Sequence, residues 1–379
     1  MKINVIGGGP AGLYFAILMK LADPAHEITV LERDGPDDTF GWGIVFSDKT
    51  MYYLEENDAV THQRIHESFE LWENVDVVYR GERISIGGNR FSGIARLVFL
   101  NIMHARCREL GVDLRFHTNV TNPDDWRDCD LLVGGDGANS LVRETYAEAF
   151  GPAVDFRLNK YIWLGTHQPF NALTLTVREN DDGLFVAHSY RFNRSGSTFI
   201  VECVGDTWET VGFERMSEAE MCAYLESVFA DDLDGHALLT NNFVRWLNFP
   251  VVTNAHWSHG NIVLLGDALH TAHFSIGSGT KLALEDSIAL ARSMVAEPEV
   301  PRALRDFESR RRPVVDVYQQ AAFESLRWLE TLADRMQLPP LEFAYEIMTR
   351  SKKVDHENLR QRDPDFIARY EASVRQKGA

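Results

Sequence analysis

The sequence predicts an α/β protein: a parallel-sheet nucleotide-binding domain built from separated pieces, an inserted and mostly antiparallel β-sheet domain, and helices towards the C-terminal end. Three observations predict it. Met1 to Glu32 read as strand, glycine turn, helix, strand and acid in unbroken succession. The same strand-then-glycine-turn grammar returns at Asp130–Gly137 and again at Ile262–Asp267. Between those two returns, residues 154 to 250 are short β-branched and aromatic runs of the kind that line antiparallel sheets.

In the N-terminal unit, Ile3, Val5 and Ile6 are β-branched residues suited to a buried strand. Gly7 allows the tight turn, Gly9 lets a pyrophosphate approach the backbone, and Gly12 lets the following helix pack closely on the strand. Pro10 and Ala11 open that helix, whose N-terminus offers free N–H groups and a positive dipole end to phosphates. The run Ile28-Thr29-Val30-Leu31 is the second strand. Glu32 follows, 20 residues beyond Gly12 (32 − 12), where an acid accepts hydrogen bonds from a ribose hydroxyl. This is the dinucleotide-binding grammar of a Rossmann-like domain.

The chain of 379 residues can hold one large domain or two intimately joined ones. Its formal net charge of −18 argues against general affinity for nucleic acid or an anionic membrane, though not against a local basic pocket. No signal peptide is visible, because the apolar start is interrupted by glycines and Pro10, and no apolar run approaches the ~18 to 20 residues of a membrane span. Cys107, Cys129, Cys203 and Cys222 form no CxxC pair, so reduced thiols in a cytoplasmic protein are the plain reading.

After Glu32 and Arg33 comes a polar turn, then Phe40-Gly41-Trp42-Gly43-Ile44-Val45-Phe46-Ser47. Glycines bracketing Trp42 suggest that backbone and ring approach something flat; a surface loop with a buried Trp anchor is the alternative. Residues 48 to 74 read as amphipathic helix. His62 and His66 share a helix face there, but Arg64 between them and the lack of a third ligand argue for a solvated face rather than a metal site. Val75 to Arg90 read as strands separated by Gly81 and Gly87-Gly88. Arg96 then opens a helix whose apolar face is Leu97, Leu100, Ile102, Met103 and Cys107. Val112 to Phe116 is a strand. One helix near Ser217 to Phe229 interrupts the inserted sheet, and another follows from about Thr280 to Met294. Helices fill the rest, except that the charged tail after Lys352 shows little apolar periodicity and reads as loosely packed.

With Gly7-x-Gly9-x-x-Gly12, Glu32, Gly135-Asp136-Gly137 and Gly266-Asp267 standing in this order, the chain resembles the single-component flavoprotein aromatic hydroxylases, typified by para-hydroxybenzoate hydroxylase. The resemblance extends to about residue 330 and implies a GR2-type flavoprotein fold with FAD as cofactor. It implies that the Asp136-Gly137 turn touches the pyrophosphate side, that Asp267 binds the ribityl chain, and that Arg96 contacts FAD. Glu32, Arg33, Trp42, Gly43 and Val45 complete the expected cofactor contacts on the N-terminal side. Gly277 and Gly279 lead into the helix from Thr280, whose positive end would face the flavin pyrimidine and favour the anionic reduced ring. Phe274 stands where the family usually has proline, and Lys281 where it usually has asparagine.

These departures, with Gly41 to Ser47, Asn159 to Trp163 and His273 to Gly277, resemble one subgroup: salicyloyl-CoA 5-hydroxylases, aminobenzoyl-CoA monooxygenases and the indole-ring hydroxylase of the violacein pathway. Ser278-Gly279-Thr280-Lys281-Leu282 is most similar to the acyl-CoA enzymes. The resemblance implies that NAD(P)H visits transiently to reduce FAD, O2 adds at flavin C4a, and the hydroperoxide attacks an electron-rich ring, giving gentisyl-CoA from salicyloyl-CoA. The related aminobenzoyl-CoA and indole substrates are the alternatives, and an FAD-dependent reductase is the alternative from another class. His273 is the first candidate for proton transfer, followed by His188 and Tyr190; a hydrogen-bonded structural role is the alternative for each. No metal is expected, and His270-x-x-His273 is not read as a metal pair. The expected partners are the aromatic thioester and O2, in a monomer or homodimer. The expected organisation is cofactor domain at 1–74, 91–153 and 256–330, substrate sheet at 75–90 and 154–255, and a helical segment at 331–379.

Overall fold

Leu131–Gly134 pairs in parallel with Lys2–Ile6 on one side and with Ile262–Leu264 on the other, so the three strands that lead into glycine turns lie side by side in one sheet. The computed structural model describes residues 1–377. Its six-stranded sheet runs Ser258–His259, Ile262–Leu264, Leu131–Gly134, Lys2–Ile6, Glu27–Leu31, Asp113–Arg115, parallel throughout except at the outermost Ser258–His259. Ile3, Val5, Leu131, Leu132, Val133, Ile262, Val263 and Leu264 are fully buried, as a parallel sheet covered on both faces requires. The helix Pro10–Ala22 covers one face and packs on Gly279–Ala296, where Ser287 Oγ donates to the Ala11 carbonyl at 2.8 Å. Gly12 makes this closeness possible: a Cβ there would lie 2.3 Å from the Gly7 carbonyl oxygen.

The second sheet has eight strands. Leu238–Leu239, Pro152–Thr166, Gly196–Cys203, Gly183–Asn193, Leu173–Asn180, Val75–Tyr79 and Glu82–Ile86 follow one another, and Leu247–Asn254 also pairs with Pro152–Thr166. Every pairing is antiparallel except that of Leu173–Asn180 with Val75–Tyr79. One face of this sheet packs under the helices Gly205–Val211, Glu218–Val228 and Ala230–Leu233, three helices where the sequence suggested one. Ser217 opens the middle one with a capping box closed by Glu220.

Residues 48 to 74 are not one helical stretch. Asp48–Asn57 and Ala59–His66 are helices, but Asp58 between them has its carboxylate bonded to Thr61 Oγ1 at 2.5 Å and to Arg106 at 3.1 and 3.2 Å. Glu70–Trp72 is then a strand in a small sheet with Phe91–Ala95 and Gly43–Ser47. The Cβ-less Gly93 lets the Trp72 ring lie against that sheet.

The tail after Lys352 is not loosely packed. His356–Arg362 and Pro364–Lys377 are helices, and Leu359, Phe366 and Ile367 are buried against Val77, Ile86 and Phe343. His356–Arg362 has Leu359 as its one apolar residue, and the two large apolar residues that Pro364–Lys377 buries, Phe366 and Ile367, are adjacent, so neither helix shows a clear apolar period. The expectation for residues 378–379 lies outside the described residues. Asp363 ties the tail down: it accepts the Gly87 N–H at 2.7 Å and caps the last helix through the Phe366 N–H at 2.9 Å. Asp363→Ala is therefore expected to lower unfolding free energy by about 1 to 2 kcal/mol in urea titration; an unchanged midpoint would show the tail to be dispensable.

No helix among the described residues is long and apolar enough to cross a membrane. All four cysteines are free.

Candidate active site

Two helices begin with a glycine that the chain itself does not require. Gly9 precedes Pro10–Ala22 and Gly279 opens Gly279–Ala296; neither has a positive φ, and a Cβ on either would meet nothing within 4 Å. Gly7 differs, because its φ of +106° and the Gly135 oxygen 2.3 Å from a built Cβ both demand glycine. Space is thus kept at two positive helix ends, both on the side where the parallel strands end. Gly137 and Gly277, with φ of +82° and +61°, also turn towards open space. Gly266, with φ of +61°, lets the following turn approach the Ala11 methyl group.

The acids of the three turns differ in their ties. Glu32 accepts the Gly8 N–H at 2.7 Å and the Asp34 N–H at 2.9 Å, and lines a cavity of about 90 Å³ with Gly9, Arg96, His104 and Phe116. Arg33 points away and pairs with Asp34 at 3.1 Å. Asp136 is occupied within the chain, accepting Ser140 Oγ at 2.5 Å and the Val142 N–H at 3.1 Å. Asp267 sits deep in the fold yet faces a solvent-open cleft; burial raises its carboxyl, opposed by His270 and Arg96. Arg96 begins its helix, donates its backbone N–H to Trp42 at 2.8 Å, and has a buried Nε with no hydrogen-bond partner.

Trp42 lies over Gly165 and Trp163 over Gly41, so two glycines each receive an indole across the junction of loop and substrate sheet. Trp42 also borders a larger cavity of about 390 Å³ reaching Leu97, Phe192 and Phe243. Gly43 and Val45 lie on the strand beside it, pairing with Ala95 and Gly93. Tyr190 donates its hydroxyl to the Gly43 carbonyl at 2.7 Å, which pegs the substrate sheet to this loop.

Opposite the 266–279 segment, the substrate sheet presents a buried polar cluster. Glu202 accepts Asn159 Nδ2 at 2.7 Å and faces His188 Nε2 at 3.2 Å and His273 Nε2 at 4.0 Å. Burial works to raise the Glu202 carboxyl, but the hydrogen bonds from His188 and Asn159 prevail and hold it below the usual carboxylate range. Burial pushes the His273 imidazole down to about 4, against the Glu202 carboxylate and with Arg350 adding to the effect. Phe274 fills the space beside them, its ring 4.9 Å from Tyr161, 5.3 Å from His188 and 6.2 Å from Phe249. An ionised carboxylate that engages His188 Nε2 leaves the other nitrogen of that imidazole able to accept a proton from a bound ring.

The sequence profile of the FAD binding domain matches residues 1–322. The chain belongs to the FAD binding domain family. It is similar to a salicyloyl-CoA 5-hydroxylase from a Streptomyces species, with 40% identity over 97% of this chain and 73% of the relative. It is 36% identical to a 3-hydroxy-4-methyl-anthranilyl-[aryl-carrier protein] 5-monooxygenase of Streptosporangium sibiricum, over 95% of this chain and 97% of that one. Among solved structures, tetrameric 2-methyl-3-hydroxypyridine-5-carboxylic acid oxygenase superposes with a TM-score of 0.70 at 17% identity, covering 95% of this chain and 97% of that one, so the two share a fold.

In this FAD-binding chain the residues fit the cofactor. The open glycines leave room at two helix starts whose backbone N–H groups could meet anionic parts of FAD, and the buried Arg96 Nε has no hydrogen-bond partner and lies within electrostatic reach of Asp267. Pro10 and Ala11 open the first of these helices, Thr280 lies in the first turn of the second and Gly266 begins the turn that carries Asp267, whereas Arg33 pairs with Asp34. Of the proposed acid–base residues, His188 and His273 are brought together, while the Tyr190 hydroxyl is committed to Gly43. Sequence reading missed Glu202. Its only signal was a carboxylate inside the run Phe199-Ile200-Val201-Glu202-Cys203, where a strand buried on both faces has no place for an unpaired charge. Among the described residues no group of three or more potential ligands is arranged to hold a metal; His270 instead pairs with Asp286 at 2.8 Å.

Proposed function

We propose that the chain is an FAD-dependent aromatic hydroxylase that consumes NAD(P)H and O2 and converts salicyloyl-CoA into its 5-hydroxy product, gentisyl-CoA. The observation that carries this reading is the His188–Glu202 pair, buried beneath Phe274 and Tyr161 on the sheet face that meets the His273–Phe274 segment. When bound, FAD supplies the reducing equivalents and the oxygen chemistry. Phe274, Tyr161 and Phe249 pack together as an aromatic wall against which the substrate ring can rest and which shields it from water. A phenol becomes a stronger nucleophile as it loses its proton, and His188, backed by Glu202, stands at that face to accept it. The hydroxyl of a 2-hydroxybenzoyl thioester directs oxygen to the ring carbon para to itself, which is position 5.

A second reading, a 2-aminobenzoyl thioester, has support from the anthranilyl relative, since an amino group activates the same carbon. A panel of aryl-CoA thioesters, free acids and indoles mixed with the FAD-loaded protein separates these. Salicyloyl-CoA is expected to accelerate NAD(P)H oxidation most, with O2 consumed and gentisyl-CoA formed. Acceleration only by an aminobenzoyl thioester or an indole would move the substrate, and NAD(P)H oxidation without a hydroxylated product would make the chain a reductase.

A further inference from the structure

A chain of hydrogen bonds joins the C-terminal helices to the acid–base cluster. Arg350 Nε donates to Ser325 Oγ at 2.8 Å, Ser325 Oγ lies 2.8 Å from Ser275 Oγ, and Ser275 Oγ lies 2.8 Å from His273 Nδ1. The backbone N–H of Ser275 also points at His273 Nδ1, at 3.4 Å. The sense of this chain is set at its His273 end, where the Ser275 backbone N–H fixes the role of Nδ1. A guanidinium has donors and no acceptor, so Ser325 must accept from Arg350. A backbone N–H likewise only donates, so His273 Nδ1 must be an acceptor and carries no proton. The Ser275 proton therefore goes to Nδ1, and the Ser325 proton goes to Ser275 Oγ. Reversing the Ser275 hydroxyl would require a proton on Nδ1, set against the Ser275 N–H in a buried place.

The consequence falls on the far side of the ring. A neutral imidazole with an accepting Nδ1 has its proton on Nε2, and Nε2 is 4.0 Å from Glu202 Oε1. We infer that Ser275, its hydroxyl supported by Ser325 and its backbone anchored by Arg350, is a positioning residue that fixes His273 as its neutral Nε2–H tautomer and so turns an N–H towards Glu202. Arg350 serves as that anchor by donating Nη2 to the Ser275 carbonyl at 2.6 Å, and its Nη1 donates to the Ile347 carbonyl. The groups that face Glu202 are His188 and Tyr161 on the neighbouring strands, His273 on the cofactor segment and Arg350 on the C-terminal helices.

The purpose of this arrangement rests on the hydroxylase reading. Three N–H groups turned towards Glu202 keep it ionised, so it accepts from His188 Nε2 and leaves His188 Nδ1 as the basic nitrogen. The phenolic O–H bond of the substrate then breaks, its proton bonds to His188 Nδ1, and the electron pair stays on the phenolate oxygen. The positive imidazolium is matched by Glu202, and the proton returns on product release. His273 remains neutral throughout and does not compete for the proton.

The tautomer can be read without any substrate, which separates this inference from the choice of reaction. Holoenzyme labelled with 15N-histidine, with the His273 signal assigned by its loss in His273→Asn, is expected to show the Nε2–H pattern for that residue at pH 7. Ser275→Ala and Ser325→Ala each remove a link and should lower the ratio of Nε2–H to Nδ1–H forms about fivefold, the effect of one ordinary hydrogen bond. Ser275→Thr keeps the hydroxyl and should restore the wild-type ratio. In turnover, the two alanine variants should shift the pH dependence of kcat/KM and the threonine variant should not. An Nδ1–H or doubly protonated His273 in the wild-type protein at pH 7 would overturn the inference, as would an unchanged tautomer in both alanine variants. A wild-type Nε2–H signal in a protein that hydroxylates no aryl thioester would leave the tautomer assignment standing and remove only its catalytic purpose.

Discussion

Gly9→Val is expected to weaken FAD binding about 10- to 100-fold while leaving the protein folded. The glycine is not needed by the backbone, whose φ is −79° and ψ 178°, and a Cβ built there meets no atom of the chain within 4 Å. A valine therefore fits the apoprotein and loses only the modest benefit of a better N-cap residue. Its methyl groups would stand where a pyrophosphate must approach the first N–H groups of Pro10–Ala22, and forcing two groups into one space costs roughly 1 to 3 kcal/mol. Flavin fluorescence titration measures the loss, and circular dichroism confirms the fold. Gly12→Ala is the control with the opposite signature, because its Cβ would lie 2.3 Å from the Gly7 carbonyl oxygen and should damage the apoprotein itself. An unchanged FAD affinity in Gly9→Val would mean that the cofactor does not lie on this helix end.

The second large effect is a loss of stability in mild acid. Burial holds His273 at about 4 against 6.5 for a free imidazole, and holds His104 at about 4 in the same way. Between those values the unfolded chain binds protons that the folded chain refuses, so stability is full above pH 6.5 and falls as pH drops towards 4. For His273 the full difference is on the order of 3 kcal/mol. Glu202 acts at lower pH still: its carboxyl is held down, so its contribution is present above the ordinary carboxylate range and is lost only as pH falls below it. Urea midpoints at pH 7 and pH 5 should therefore differ markedly in the wild-type protein. His273→Asn should narrow that gap, and equal gaps in the two proteins would show that His273 titrates normally.

What the sequence revealed follows from how local each feature is. The unit from Lys2 to Glu32 was legible because turn, helix and both strands lie within about thirty residues and each glycine has its own steric task. The later returns at Asp136 and Asp267 were legible as repeats of that pattern. The strand Glu70–Trp72 was not, because three residues of strand carry no period and its partner is Phe91–Ala95 across a hairpin that belongs to another sheet. Glu202 was hidden for a different reason. Its contacts with His188, Asn159 and His273 depend on strand register and on the docking of a segment about seventy residues away, neither of which composition encodes. Arg350 was hidden deeper still, since it touches the cluster only through the two serines.

The order of strands around Lys2–Ile6 has a consequence for how the protein comes into being. Lys2–Ile6 finds one partner early in Glu27–Leu31 but waits for its other, Leu131–Gly134, which in turn waits for Ile262–Leu264. Val75–Tyr79 likewise waits for Leu173–Asn180, its only parallel partner in the second sheet. Contacts of such long sequence separation make folding slow and leave strand edges bare meanwhile. If FAD is held by both helix ends, as proposed, Asp267 and Gly279 come after all of these strands and a nascent chain could not complete that site until nearly three quarters of it has left the ribosome. Cofactor capture is thus a late event in biosynthesis, and chains cut short before that point should emerge colourless and prone to aggregate.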